Sequence, residues 1–181
     1  GARAVFVRFA GCNLWSGREQ DRRTAICQFC DTDFVGIDGQ DGGKFANAEA
    51  LLAAVAAFWG EGRTDRFVVL TGGEPMLQVD GALVDAAHAA RFRIAIESNG
   101  TLSAHPGIDW VCISPKAGSD VVQRSWDELK LVWPQPGTDI DAVEAWDFAH
   151  RLLQPLDPNT LETDHAANIA LCVEMVMQRP H

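Results

Sequence analysis

The feature that most constrains the fold is an alternation of short apolar runs with longer helical patterns along the 181 residues. The runs are rich in β-branched and aromatic residues, as in strands buried on both faces of a parallel sheet. The predicted strands are Ala4–Phe9, Phe67–Thr71, Arg93–Glu97, Trp110–Ser114, Glu128–Trp133 and Arg151–Gln154. The predicted helices are Asn47–Trp59, Gly81–Ala90, Asp139–Ala149 and Thr160–Met177. Asn47 is a candidate N-cap of the first helix, and Asp139 or Thr138 of the third.

Strands that alternate with helices indicate an α/β fold with right-handed crossovers. Six strands and four helices are too few for a complete eight-fold barrel. We therefore predict a partial, six-stranded TIM-like barrel of mostly parallel strands with few outer helices. A chain of this length fits one domain, so we expect residues 1–181 to form a single domain.

Composition narrows the classes of function. The formal net charge is −10, which disfavours a nucleic-acid partner because phosphates would be repelled. No apolar run is long enough to span a bilayer, so we expect no membrane association and a cytoplasmic location. Five cysteines are an odd number and are unevenly spaced, which argues against a secreted disulfide scaffold.

Three of the cysteines, Cys12, Cys27 and Cys30, lie close together in the sequence, separated by 14 and two residues. The close pair lets both thiolates face one metal centre, and the long insert returns the chain to deliver the third. Three thiolates are one short of the four that a structural zinc or an ordinary electron-transfer cluster requires. We therefore predict an iron–sulfur cluster with one iron open to a cofactor.

Other interpretations of the three cysteines stay open. One is a structural zinc whose fourth ligand is a His, Asp31 or Asp33. The others are a thiol–disulfide pair at Cys27 and Cys30, and three unrelated buried thiols.

The remaining cysteines, Cys112 and Cys172, lie in apolar stretches and are predicted to be core residues. The basic residues of the long insert are predicted to be solvated loop surface; they are Arg18, Arg22 and Arg23.

Polar motifs stand where several predicted strands end, and ligands of α/β folds collect at the carboxyl ends of strands. The motifs are Thr71-Gly72-Gly73-Glu74, Glu97-Ser98-Asn99, Ser114-Pro115-Lys116 and Gln154-Pro155-Leu156-Asp157. The paired glycines allow unusual dihedrals and a close approach of a ligand to the backbone. Glu74 adds a carboxylate that can accept hydrogen bonds from an ammonium group.

The three-cysteine loop followed by Thr71–Pro75 resembles the radical S-adenosylmethionine (radical SAM) superfamily. Superfamily members usually space these cysteines three and two residues apart, so the 14-residue gap is a departure. Together with the segments Arg8–Trp15 and Cys27–Phe34, this spacing resembles that of one branch of the superfamily. The enzymes of that branch make 7-carboxy-7-deazaguanine for queuosine and other 7-deazapurines. The resemblance extends from Val5 to Glu174.

The resemblance implies a carbon–nitrogen lyase. A [4Fe–4S] cluster on Cys12, Cys27 and Cys30 would bind S-adenosylmethionine at its open iron, and reduction would release a 5′-deoxyadenosyl radical. The radical would remove hydrogen from 6-carboxy-5,6,7,8-tetrahydropterin, whose ring contracts with loss of ammonia. The resemblance also implies Mg²⁺, an electron donor such as flavodoxin and a homodimer. We further expect that terminal segments of the family are missing from this chain.

Residue roles follow from the same resemblance. The pterin would contact Arg8, Thr71 and Glu97, and Thr32 would bind Mg²⁺. The residues expected to bind S-adenosylmethionine are Gly72, Gly73, Glu74, Ser98, Ser114, Lys116 and Gln154.

Plainer roles stay open for several of these residues. Thr32 could cap a turn, Arg8 could pair with a surface carboxylate, and Lys116 could be a solvated loop lysine. Glu97 could be purely structural. For the whole chain, the alternatives are a zinc-binding non-catalytic α/β module and another radical SAM enzyme.

Overall fold

The computed structural model describes residues 2–39, 41–61, 64–157 and 165–179. Its centre is one six-stranded sheet in the order β1 to β6, with every neighbouring pair parallel. The strands are β1 (Val5–Phe9), β2 (Phe67–Gly72), β3 (Arg93–Ser98), β4 (Trp110–Ile113), β5 (Ser125–Trp133) and β6 (Asp147–Pro155). The prediction of a partial barrel of parallel strands is confirmed.

The helices are α1 (Ala48–Trp59), α2 (Gly81–Ala89), α3 (Ile140–Glu144) and α4 (His165–Gln178), with 3₁₀ turns at Glu19–Thr24 and Pro75–Leu77. Asn47 caps α1 as predicted, because its side chain accepts from the Ala50 N–H at 2.9 Å. Asp139 caps α3 in the same way, through the N–H of Ala142. None of the helices in the described ranges is long and apolar enough to cross a membrane.

The third helix is shorter than predicted. It ends at Glu144, and the stretch from Asp147 to Ala149, predicted as helix, begins β6 instead. The Asp147 N–H donates to the Arg124 carbonyl, and Phe148 pairs with Trp126 of β5 and is buried. Pairing with a neighbouring strand therefore decides this segment against its local helical pattern. Of the predicted fourth helix, residues 160–164 lie outside the described residues.

The hydrophobic core lies between the sheet and the helices α1 and α2. Alternate residues of the strands face these helices, among them Val68, Leu70, Ile94, Ile96, Val111 and Ile113. Because side chains alternate along a strand, the residues between them face the opposite side of the sheet. We call that side the inner face.

Candidate functional site

The three cysteines predicted to hold a cluster lie together beyond the carboxyl ends of β1 and β2. Cys30 interacts electrostatically with both Cys27 and Cys12. The interaction with Cys27 lowers the pKa of Cys30 to about 6, and the same interaction raises the pKa of Cys27. Burial raises the pKa of Cys12. Interacting thiols with shifted pKa values are typical of reactive or metal-binding cysteines.

The paired glycines at the end of β2 hold the first cysteine in place. Gly73 N–H donates to the Phe9 carbonyl at 3.0 Å, and Glu74 N–H donates to the Gly11 carbonyl at 2.9 Å. A Cβ on Gly73 would collide with the Gly11 carbonyl and lie 3.2 Å from Cys12 Cβ. The sequence suggested that a ligand approaches this backbone. The structure adds that the chain's own cysteine loop does so.

Glu74 is fully buried and serves as a hydrogen-bond acceptor for several donors. Its Oε1 accepts from the Met76 N–H and the Ser98 hydroxyl, each at 2.9 Å, and its Oε2 accepts from the Asn99 N–H at 2.8 Å. Burial raises the pKa of Glu74, and these hydrogen bonds oppose the rise. The carboxylate therefore joins the end of β2 to the end of β3.

A second contact joins the cysteine loop to β3. Asn13, directly after Cys12, accepts from the Asn99 side-chain amide at 2.9 Å and donates to the Thr101 hydroxyl at 2.7 Å. Sequence reasoning assigned no role to Asn13 or Asn99. Their positions in the sequence could have indicated a role, because Asn13 follows the first cysteine and Asn99 belongs to a strand-end motif.

Lys116 is turned toward the cysteines and is not the solvated loop lysine of the alternative interpretation. Its ammonium group donates to the carbonyl and the hydroxyl of Ser114, both at 2.7 Å, and lies 5.8 Å from the centre of the Phe29 ring. Burial lowers the pKa of Lys116, while the thiols of Cys27 and Cys30 act to raise it. A cation therefore lies beside two of the three thiols.

Arg22 of the long insert is a functional candidate that sequence reasoning missed. Its guanidinium donates to the carbonyls of Gln28 and Cys30 at 3.0 and 3.1 Å, and to Glu19 at 2.8 Å. It also stacks on the Trp15 ring at 4.0 Å, and its side chain is only 18% exposed. The prediction that this residue is solvated surface is therefore wrong: Arg22 links the insert to the Cys27–Cys30 loop.

The predicted pterin residues lie side by side on the inner face. Arg8 pairs with Thr71 in the sheet. The pairing of Leu70 with Ile96 brings the next residues, Thr71 and Glu97, level with each other. One transverse row of the sheet therefore brings together Arg8, Thr71 and Glu97, although 88 positions separate the first residue from the third.

Two predicted site residues stand apart from these groups. Gln154 is exposed on β6, where it pairs with Val132. Thr32 is half-buried, and its hydroxyl lies 3.4 Å from the Asp31 carboxylate. Their roles toward S-adenosylmethionine and Mg²⁺ stay predictions.

A single-ion site does not form from these side chains. Across the part of the chain that the structure describes, no three His, Cys, Asp or Glu side chains converge on one metal ion. The alternative of a structural zinc therefore gains no support from the side chains that the structure describes.

The two remaining cysteines are buried, as predicted. Cys172 in α4 lies 3.6 Å from the Trp133 carbonyl. Cys112, however, is on the inner face, and its thiol donates to Glu128 at 3.1 Å. Its environment is therefore polar, although its sequence neighbours are apolar.

The parallel sheet, the strand-end motifs and the three converging thiols define a radical SAM protein. The sequence model of the radical SAM superfamily matches residues 22–130, a range that includes Cys27 and Cys30 and begins after Cys12.

Curated relatives place the chain within that superfamily. A 7-carboxy-7-deazaguanine synthase of Caulobacter vibrioides is 56% identical over 180 residues, covering 99% of this chain and 84% of the relative. One from Bordetella pertussis is 59% identical over 157 residues, covering 87% and 75%. The crystal structure of QueE from Escherichia coli is similar with a TM-score of 0.66 and 25% identity, covering 98% of this chain and 82% of that one. The chain belongs to the 7-carboxy-7-deazaguanine synthase family.

Proposed function

We propose that this chain converts 6-carboxy-5,6,7,8-tetrahydropterin to 7-carboxy-7-deazaguanine with loss of ammonia, a step in queuosine and 7-deazapurine biosynthesis. The observation that carries the proposal is the convergence of three thiols, Cys12, Cys27 and Cys30, in a member of this synthase family. When bound, the cluster and S-adenosylmethionine supply a 5′-deoxyadenosyl radical that removes hydrogen from the pterin. The protein binds, orients and shields the reacting groups.

The thiols fit a [4Fe–4S] cluster by their chemistry. Three thiolates are the ligands expected for a cluster that leaves one iron for S-adenosylmethionine. Backbone N–H groups of Leu14 and Trp15 donate to Cys12, and such bonds stabilise a thiolate. Lys116 adds a positive charge beside the Cys27–Cys30 pair, and this offsets part of the negative charge of a thiolate-bound cluster.

We infer that the strand ends beside the cysteines bind S-adenosylmethionine. Gly72, Gly73 and Glu74 would meet the methionyl end, because they adjoin the loop of Cys12. Residues at the ends of β3 and β6 and just after β4 would contact the ribose and adenine; they are Ser98, Ser114, Lys116 and Gln154. The carboxylate of Glu74 is already held by protein donors, so its main contribution would be to fix the surrounding backbone.

We infer that the inner face binds the pterin. Arg8 suits the substrate carboxylate, and Glu97 suits the two adjacent N–H donors of the pterin's guanidine-like edge. Thr71 lies between them in the sheet. Their side-by-side arrangement supports a substrate that extends across β1 to β3.

Further partners belong to the same proposal. Mg²⁺ would bind near Thr32, whose hydroxyl and neighbouring Asp31 carboxylate are oxygen ligands of the kind that this ion prefers. An electron donor such as flavodoxin would reduce the cluster, and the enzyme would act as a homodimer.

All five cysteines are unpaired, which agrees with a reducing cytoplasm. One sheet with one core supports a single domain.

The test is turnover by anaerobically purified, cluster-loaded protein with S-adenosylmethionine, a reductant, Mg²⁺ and the carboxytetrahydropterin. We expect 7-carboxy-7-deazaguanine and ammonia as products. Cys30→Ala should abolish cleavage of S-adenosylmethionine, because the cluster loses one of its three ligands. Stoichiometric zinc without iron–sulfur absorbance, or a loaded protein that makes no deazapurine, would contradict the proposal.

A further inference from the structure

The inner-face row continues beyond the residues to which the proposed function gives a role. Cys112 pairs with Glu97 on one side and with Glu128 on the other. Glu128 in turn pairs with His150 on β6. We call the residues of this transverse line the inner-face row; they are Arg8, Thr71, Glu97, Cys112, Glu128 and His150. Glu97 and Glu128 are half-buried on either side of the buried Cys112. Carboxylates in such surroundings are costly unless they are paired, so their partners require an explanation.

Glu128 is held in one orientation by its neighbours on β4. Its Oε1 accepts from the Cys112 thiol at 3.1 Å, and its Oε2 accepts from the Trp110 indole N–H at 3.2 Å. Trp110 is itself stacked on His150, with 5.5 Å between the ring centres. Burial raises the pKa of Cys112, so its thiol stays protonated and remains a donor. Both oxygens of Glu128 are therefore engaged.

Lys130 forms an ion pair with Glu97, one of the two carboxylates of the row. Its ammonium group lies 3.1 Å from Glu97 Oε2, and its side chain is 22% exposed, against 41% for Glu97. Burial opposes its charge, but the carboxylates of Glu97 and Glu128 outweigh this, and the pKa of Lys130 is raised. Lys130 is thus a charged donor that reaches across β4 to Glu97.

We propose that Lys130 is a positioning residue that orients Glu97 toward the 2-aminopyrimidinone edge of the pterin. A carboxylate has about four lone-pair positions. Accepting one hydrogen bond from Lys130 therefore leaves a free position on each oxygen of Glu97, as a bidentate contact requires. The ion pair also removes rotamer freedom from Glu97 before the substrate arrives, and this lowers the cost of binding. This inference rests on the proposed function, and it adds a residue that has no assigned contact with substrate.

Lys130→Met in the cluster-loaded enzyme tests the inference, because methionine keeps the length of the side chain and removes its charge. We expect KM for the carboxytetrahydropterin to rise about tenfold or more, as for loss of a charged hydrogen bond, with kcat changed less than about threefold. The affinity for S-adenosylmethionine should be unchanged. Lys130→Arg should recover most of the lost affinity.

Binding of the product, 7-carboxy-7-deazaguanine, gives a readout that is independent of turnover. It carries the same 2-aminopyrimidinone edge, so Lys130→Met should weaken its binding in calorimetry by a similar factor. Because Lys130 acts through Glu97, adding Lys130→Met to Glu97→Gln should cause no further loss. Additive losses, an unchanged KM, or a parallel loss of S-adenosylmethionine binding would each overturn the inference. Absence of pterin turnover by the unaltered enzyme would instead overturn the proposed function.

Discussion

The cysteine loop and the inner-face row are held together by different kinds of contact. Around the cysteines, most contacts reach backbone carbonyls. Gly73 donates to the end of β1 and Glu74 to the Gly11 carbonyl beside Cys12, and Arg22 donates to two carbonyls of the Cys27–Cys30 loop. Along the inner-face row, side chains bind side chains, as in Glu97 with Lys130 and Cys112 with Glu128.

This difference indicates what each region can tolerate. Backbone contacts depend on how closely two chain segments approach, so a single added carbon can separate them. Side-chain contacts depend on the identity of each partner, so a substitution removes one interaction and leaves the backbone in place. A change at the cysteine loop should therefore affect metal binding and stability together. A change in the row should mainly affect the substrate.

The largest effect is expected for Gly73→Ala. The new Cβ would collide with the Gly11 carbonyl and press on Cys12, which should cost about 3 kcal/mol of unfolding free energy and most of the bound iron. Iron analysis after anaerobic reconstitution and urea unfolding measure the two losses. Gly43→Ala is the matched control, since a Cβ there meets nothing within 4 Å. Full iron occupancy in Gly73→Ala would show that the close approach is dispensable.

A smaller effect is expected for Arg22→Ala. It removes a guanidinium that bridges the carbonyls of Gln28 and Cys30, so we expect a loss of about 2 kcal/mol and faster proteolysis within the insert. Arg22→Lys should recover only part of this, because an ammonium lacks the planar fork. The adjacent, exposed Arg23 is the control, and Arg23→Ala should change neither readout. Equal effects at the two arginines would refute a specific link.

The smallest effect is expected for Cys112→Ala. The Glu128 carboxylate loses one donor, which should cost about 1 kcal/mol in urea unfolding and leave the iron content unchanged. Cys112→Ser keeps a donor and should cost less. Loss of the cluster in either variant would mean that Cys112, rather than one of the three loop cysteines, is a ligand.

Much of the fold, and the position of the three cysteines in the candidate site, could be predicted from the sequence. Short apolar runs predicted six mostly parallel strands, and all six are present near the predicted positions. The 14-residue gap after Cys12 pointed to the correct family. These signals are local, because strand periodicity, caps and cysteine spacing are properties of neighbouring residues. The start of β6 was missed because Asp147 and Phe148 are held by β5 rather than by their own segment.

The sequence by itself determined the parallel α/β fold, the three candidate cluster cysteines and the strand-end motifs, since each is encoded in a short stretch of chain. Only the tertiary structure decided how Lys130 meets Glu97 and how Cys112 meets Glu128. Such pairs depend on strand register and on which face each side chain occupies, and a shift of one residue would reverse both. The same holds for Arg22, whose partners become visible only when the insert folds back on the Cys27–Cys30 loop.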